Sequence, residues 1–116
     1  MSTIELQDGG LTLRLTVAEK ILAVHGNVHV TAAQVVRASS LTDPWLVQRG
    51  LRLPGLGLPG VAALGTWRWR NPIGSGRDFL VVRGHGPGVL VDLRDHEFDR
   101  LLLSVADPAG VVVALR

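Results

Sequence analysis

Residues 61–93, which decide the fold, read VAALGTWRWRNPIGSGRDFLVVRGHGPGVLVDL. Apolar runs of strand length alternate here with turns rich in Gly and Pro, a pattern typical of consecutive β-strands. The predicted strands are 61–70, 78–83 and 89–93, and the predicted turns are 71–76 and 84–88. Because short turns join neighbouring strands that run in opposite directions, the stretch predicts an antiparallel meander.

The N-terminal part of the chain predicts a hairpin. Residues 4–7 and 11–16 each alternate apolar and polar side chains, and Asp8-Gly9-Gly10 between them is typical of a tight turn. The apolar side chains of both strands are expected to meet on the core side of the sheet. Further strands are predicted at 28–31, 35–39 and 101–105.

Two short helices are predicted. Thr16 and Glu19 fit a capping box, in which each side chain accepts a hydrogen bond from the backbone of the other, and they predict a helix over 17–25. Val17, Ile21 and Val24 follow at helical spacing, so this helix is expected to lie against the sheet or to close a barrel end. Near the C-terminus, Asp107 followed by Pro108 is typical of a helix start and predicts a helix over 108–115.

The segment 44–60 differs from the rest of the chain. Leucines alternate there with Gly and Pro, and Pro54 and Pro59 argue against a regular element. The segment is nevertheless too apolar for an ordinary solvated loop. It is interpreted either as a loop that folds over the core or as an exposed, adhesive surface.

Two stretches carry a resemblance to a known family. Residues 101–109, LLLSVADPA, resemble the last strand and start of the terminal helix in bacterial pleckstrin-homology-like domains. Residues 50–60, with Gly65-Thr66-Trp67 and Arg77-Asp78-Phe79, resemble a group of small, uncharacterised proteins from high-GC bacteria. The resemblance implies a single domain over 1–116: a mainly β or α+β fold with a bent antiparallel barrel, the inserted helix and the C-terminal helix. It implies a binding or adaptor module without common catalytic residues.

Composition excludes several classes of chemistry. The 116 residues include no Cys, so disulfides, thiolate catalysis and Cys-ligated metal sites are excluded. The formal net charge is only +2, which does not by itself indicate a polyanion-binding protein. No signal peptide is recognised in the first residues, and no apolar run approaches the ~20 residues of a membrane helix. A cytoplasmic protein without a transmembrane segment is therefore expected.

Three motifs that could carry chemistry are better explained structurally. Gly55-x-Gly57-x-x-Gly60 matches a dinucleotide-binding fingerprint, but a strand rather than a helix is predicted after it. His25 and His29 have the spacing of a metal pair, but Gly26 and Asn27 interrupt the helix between them. The acidic stretch 92–99, which contains His96, matches no calcium loop. No cofactor, metal site or catalytic set is therefore predicted.

The middle of the chain combines Arg with Trp. Between Arg49 and Arg83 there are six arginines and one acidic residue, Asp78. Along the predicted strand, Trp67 and Trp69 share one face and Arg68 and Arg70 the other. If the tryptophans lie in the core, the arginines form an exposed basic stripe. If the tryptophans are exposed, they form a platform on which bases or sugars can stack. Burial of the tryptophans is favoured, because the chain has few other aromatic residues to fill its core.

Three functional hypotheses follow. The first is a non-catalytic module that binds a protein partner or a second copy of itself. The second is an anion or nucleic-acid binder that uses segment 49–83. The third, ranked well behind, is a small hydrolase or metal site near 92–99. The candidate ligand or partner surface consists of Arg49, Arg52, Leu53, Leu56, Leu58, Trp67, Arg68, Trp69, Arg70 and Arg77. Phosphoinositide binding is not expected, because the loop at 8–10 is short and acidic where phosphoinositide-binding family members have a basic one.

Overall fold

A computed structural model describes residues 3–23, 26–47, 51–58, 62–72 and 74–115, with the backbone alone for residues 3, 22–23, 46–47, 51–58 and 71. The protein is mainly β with two short helices, as predicted, and its strands form two sheets rather than one closed barrel. Helix α1 spans Val17–Ala23 and α2 spans Pro108–Ala114. The end predicted for α1 at residues 24–25 lies outside the described residues.

The smaller sheet has three antiparallel strands: β1 (Thr3–Gln7), β2 (Gly10–Arg14) and β3 (Val28–Val30). β1 and β2 form the predicted hairpin. Asp8 and Gly9 have φ values of 52° and 79° at its turn, and two consecutive residues with positive φ are typical of a tight hairpin connection. β2 supplies buried leucines to the core, whereas Leu6 of β1 is 40% exposed.

The larger sheet has six strands in the order β4-β8-β9-β7-β6-β5. Their bounds are Val35–Leu41 for β4, Leu51–Leu58 for β5, Ala62–Asn71 for β6, Gly74–Arg83 for β7, Gly88–Leu93 for β8 and Arg100–Ser104 for β9. The predicted meander is correct for β6 and β7 but wrong for β7 and β8. β9 lies between those two strands and runs parallel to β7, so the larger sheet is not wholly antiparallel.

The expectation that segment 44–60 holds no regular element is wrong for residues 51–58. They form β5, which pairs with β6 at one edge of the larger sheet. The pairing register shifts between Leu53 and Gly55, so Pro54 falls at an irregularity of the ladder. An edge strand with a bulge is where a sheet tolerates a proline, because no ladder hydrogen bond is needed from its nitrogen.

The two sheets pack face to face around the larger of two core clusters. That cluster joins Leu11 and Leu13 of β2 to Phe79, Val91 and Leu101 of the larger sheet. A second cluster lies on the opposite face of the larger sheet, because its members alternate along the strands with those of the first. Its buried members are Ala63, Trp67, Leu80, Val82 and Leu102.

α1 begins with the predicted capping box, but the face that carries its apolar side chains is exposed rather than packed on the sheet. The Thr16 N–H donates to Glu19 Oε1 at 3.0 Å, and the Glu19 N–H donates to Thr16 Oγ1 at 3.2 Å. Val17 and Ile21, which would face the sheet in an ordinary amphipathic helix, are 74% and 70% exposed. Glu19 is buried instead, because its carboxylate pairs with Arg83 of β7.

Candidate functional site

A cleft of about 1000 Å³ opens between the two sheets, where β1 and β2 face the ends of β7 and β9. Its buried lining consists of Leu13, Val81 and Leu103, one from each of three strands. Ile4 and Leu6 extend the apolar wall on β1, and α2 contributes its first turns. A mainly apolar cleft of this size is the usual form of a small-molecule site.

Charged and polar side chains lie only at the cleft's rim. Arg83 ends β7, His85 follows in the next turn, and Asp107 begins α2. Each is already engaged: Arg83 Nη2 donates to Glu19 Oε2 at 2.8 Å, His85 Nδ1 lies 2.5 Å from Asp43 Oδ2, and Asp107 Oδ1 accepts the Gly110 N–H at 3.1 Å. Arg83 and His85 therefore face carboxylates of the protein itself, whereas Asp107 is held only by a neutral N–H at the start of α2.

The two carboxyl partners at this rim titrate below their usual ranges. Burial alone would raise the pKa of Glu19, but hydrogen bonds with the backbone and hydroxyl of Thr16 and with Arg83 outweigh it and lower the pKa to about 2. The hydrogen bond with His85 lowers the pKa of the Asp43 carboxyl. Both acids are ionised at neutral pH, so Arg83 and the His85 ring each face a full negative charge.

A second concave feature, of about 260 Å³, lies on the β6–β7 hairpin. Arg68 stands directly opposite Arg77, and Arg70 stands opposite Ser75. These four residues are exposed and share one face of the sheet, because they occupy alternate and paired positions. With Trp69, which also lines this feature, four members of the sequence-predicted surface (Arg68, Trp69, Arg70 and Arg77) are thus brought together.

The two tryptophans of β6 do not form an exposed platform. Trp67 is 5% exposed and belongs to the second core cluster, as the favoured reading predicted. Trp69 is half-buried on the same face. Trp69 nevertheless lines the same concave feature as Arg68, Arg70 and Arg77, so these arginines have one half-buried ring beside them.

The other members of the predicted surface lie outside the described side chains. They are Arg49, Arg52, Leu53, Leu56 and Leu58, of which the last four belong to β5 by their backbone.

Residues 92–99 are held by structural contacts. His96 Nδ1 accepts the Phe98 N–H at 3.1 Å, and its Nε2 lies 2.8 Å from the His29 carbonyl, a pair of contacts that fits the neutral Nε2–H tautomer. Asp92 contacts Arg37, and Asp99 Oδ2 accepts the Arg77 N–H. In the described part of the chain, no three His, Asp or Glu side chains are grouped to hold a metal ion.

The cleft was not predicted from the sequence. Its residues come from β1, β2, β7, β9, α2 and two loops, so no single stretch carries a signal for it. The sequence singles out Arg83 only as the end of the arginine-rich segment 49–83 and Asp107 only as a helix cap, and it links neither residue to a cleft.

Comparisons with protein-family models, curated proteins and solved structures find no match to the chain. The geometry of the cleft and of the arginine cluster is therefore the basis for inferring function. Among the described residues, no helix has both the length and the apolar character needed to cross a bilayer.

Proposed function

We propose that the protein is a non-catalytic binding module whose cleft takes a small, uncharged, mainly apolar molecule. The observation that carries this proposal is the contrast between the cleft's apolar lining and a rim whose Arg83 and His85 already face Glu19 and Asp43. An apolar ligand gains roughly 25 cal/mol for each Å² it removes from water, without displacing an existing ion pair. An anionic ligand would have to compete with Glu19 for Arg83 or with Asp43 for His85. A cationic ligand would meet only the exposed Asp107 carboxylate, which already accepts the Gly110 N–H.

The polar groups at the rim suit one end of such a ligand. The Ser104 hydroxyl lines the cleft, where its Oγ accepts the Arg83 N–H at 3.0 Å. The Ser104 O–H can in turn donate a hydrogen bond to an alcohol or carbonyl oxygen of a ligand. The proposal is therefore a ligand with an apolar body and at most one neutral polar end.

The assignment to pleckstrin-homology-like domains is part of this proposal. What supports it is β9, which leads through Asp107 and Pro108 into a helix that packs on the core through Val111 and Val112. The parallel pairing of β7 and β9 is not something the resemblance implies. Docking of a protein partner or a second copy on segment 50–60 also stays a prediction, and the position of β5 at a sheet edge favours it.

Binding of decanol, followed by isothermal titration calorimetry, tests the proposed ligand class. Decanol should bind at least as tightly as decanoate and decylamine, which carry the same chain on a charged end. Binding of either charged molecule ten times more tightly than decanol would contradict an uncharged ligand.

A matched pair of variants locates the binding. Leu6→Glu places a carboxylate in the cleft wall at a side chain that is already 40% exposed, and it should weaken decanol binding about tenfold or more. Val36→Glu makes a similar change on β4, away from the cleft, and should leave decanol binding unchanged. Equal effects of the two variants would show that decanol binds elsewhere.

A further inference from the structure

Like charges face each other on the β6–β7 hairpin without compensation. Arg68 and Arg77 are directly opposed across the two strands, at a separation of roughly 5 Å between their Cβ atoms. Arg70 follows Arg68 on the same face, about 7 Å along the strand. Opposed like charges destabilise a sheet, so this arrangement is unfavourable for the protein on its own.

Arginines elsewhere in the described structure have partners. Of the eight arginines whose side chains are described, four pair with carboxylates and Arg94 donates to the Ala33 carbonyl. The remaining three are Arg68, Arg70 and Arg77, and among the described side chains no carboxylate pairs with them.

Two acidic residues beside this hairpin, Asp78 and Asp99, do not supply the missing charge. Asp78 is buried and accepts hydrogen bonds from Arg100 at 3.0 and 2.8 Å. Asp99 accepts the backbone N–H of Arg77 and lies against the Gly76 position, on the face opposite the arginine side chains. The arginine face therefore keeps a local excess of three positive charges.

We propose that Arg68, Arg70 and Arg77 form a binding site for a doubly charged phosphoryl group. Guanidinium groups present paired N–H donors that match the oxygens of a phosphate, and three of them can surround a small tetrahedral dianion. The concave surface of about 260 Å³ is smaller than a drug-sized site and suits such a group. Ser75, opposite Arg70, adds an exposed hydroxyl to the same surface.

The burial of Trp67 favours a phosphate monoester over a single-stranded nucleic acid. Proteins that bind single strands combine basic grooves with exposed aromatic rings on which bases stack. Here Trp67 is in the core, and Trp69, which lines the same concave surface as the arginines, is half-buried, so β6 offers only one partly accessible ring for stacking. This site is independent of the proposed function, because the cleft is at the other end of β7.

Titration with inorganic phosphate, followed by two-dimensional NMR of the ¹⁵N-labelled protein at constant ionic strength, tests the site. Backbone amide signals of 68–70 and 75–77 should shift and saturate by about 20 mM phosphate, as a Kd on the order of 1 mM requires. Matched chloride should not shift them. Arg68→Gln and Arg77→Gln should each weaken phosphate binding about tenfold, since a charge-assisted contact is lost.

Arg14→Gln is the matched control, because it removes one exposed positive charge from a different strand, where Arg14 pairs with Glu5. It should leave phosphate binding unchanged. Equal weakening by Arg14→Gln and Arg68→Gln, or no saturable shift with phosphate, would overturn the proposal.

Two further ligands distinguish a small phosphate monoester from a nucleic acid as the molecule that carries the phosphoryl group. Glycerol phosphate should bind as inorganic phosphate does if the site reads a monoester. An oligothymidylate that shifts the same amides at concentrations a hundredfold lower, while both small phosphates leave them unshifted, would contradict the proposal in favour of nucleic acid.

Discussion

The Glu19 carboxylate is 2% exposed, yet it is held in its charged form. Burying a carboxylate is unfavourable unless hydrogen bonds and an opposite charge replace the lost water. Thr16 and Arg83 do so here, and together they lower the pKa of Glu19 to about 2. The same contacts fix the orientation of α1, which explains why Val17 and Ile21 face outward.

The lowered pKa of Glu19 predicts that part of the free energy of unfolding is lost in acid. Because this pKa is lower in the folded than in the unfolded protein, the contribution is complete above pH 4.5 and is lost as the pH falls from about 4.5 to about 2. Its size is about 2 kcal/mol, after allowance for the half-exposed Arg83 side chain. In urea unfolding, the stability difference between the native protein and Glu19→Gln should shrink over this pH interval.

Glu5→Gln is the control for that measurement, since Glu5 forms an exposed pair with Arg14. Its stability difference from the native protein should stay small and nearly constant with pH, as for most surface ion pairs. A difference for Glu19→Gln that is as large at pH 2 as at pH 7 would contradict the lowered pKa.

At the scale of elements, α2 depends on its first turn. Asp107 Oδ1 accepts the Gly110 N–H. A Cβ at position 110 would collide with the Asp107 carboxylate, so the cap requires glycine there. Three consecutive valines give the helix little intrinsic stability. The cap is therefore expected to matter more than in a longer, Ala-rich helix.

Asp107→Ala should lower the free energy of unfolding by about 1 kcal/mol, because the Gly110 N–H loses its acceptor. Asp107→Asn keeps a carbonyl oxygen at the cap and should cost only a few tenths of a kcal/mol. Thermal unfolding measures both variants. Equal losses would mean that the negative charge, rather than the hydrogen bond, stabilises the start of α2.

Elements set by neighbouring residues were predictable from the sequence, whereas long-range pairing was not. The hairpin at Asp8-Gly9, the capping box of α1 and the cap of α2 each depend on residues within four positions of one another. The insertion of β9 between β7 and β8 depends on contacts between residues far apart in the chain, which local patterns do not report. Likewise, β5 includes Pro54 only because an edge position and a bulge accept it.

The candidate sites likewise combine features that local sequence predicts with features that only long-range pairing produces. Alternation along β6 predicted that Trp67 is buried and that Arg68 and Arg70 are exposed. It did not place Arg77 opposite Arg68, because β7 begins at Gly74, within the predicted turn 71–76, rather than at residue 78. The cleft depends on how two sheets and a helix meet, so it required the tertiary structure.

At the scale of the whole molecule, β7 connects both proposed sites. Arg77 lies at the phosphoryl site and Arg83 at the rim of the cleft, about 20 Å apart along the strand. Between them, Phe79 and Leu80 are buried on opposite faces of the sheet, one in each core cluster. A strand held on both faces is unable to shift easily when one end binds a ligand.

Binding at the two sites is therefore expected to be additive. Decanol and phosphate together should raise the free energy of unfolding by the sum of their separate effects, to within about 0.5 kcal/mol. Leu6→Glu should reduce only the decanol contribution, and Arg77→Gln should reduce only the phosphate contribution. A combined rise in the free energy of unfolding that differs from the sum by more than about 1 kcal/mol would mean that the two sites are coupled. Such coupling would show that β7 transmits a change between its ends.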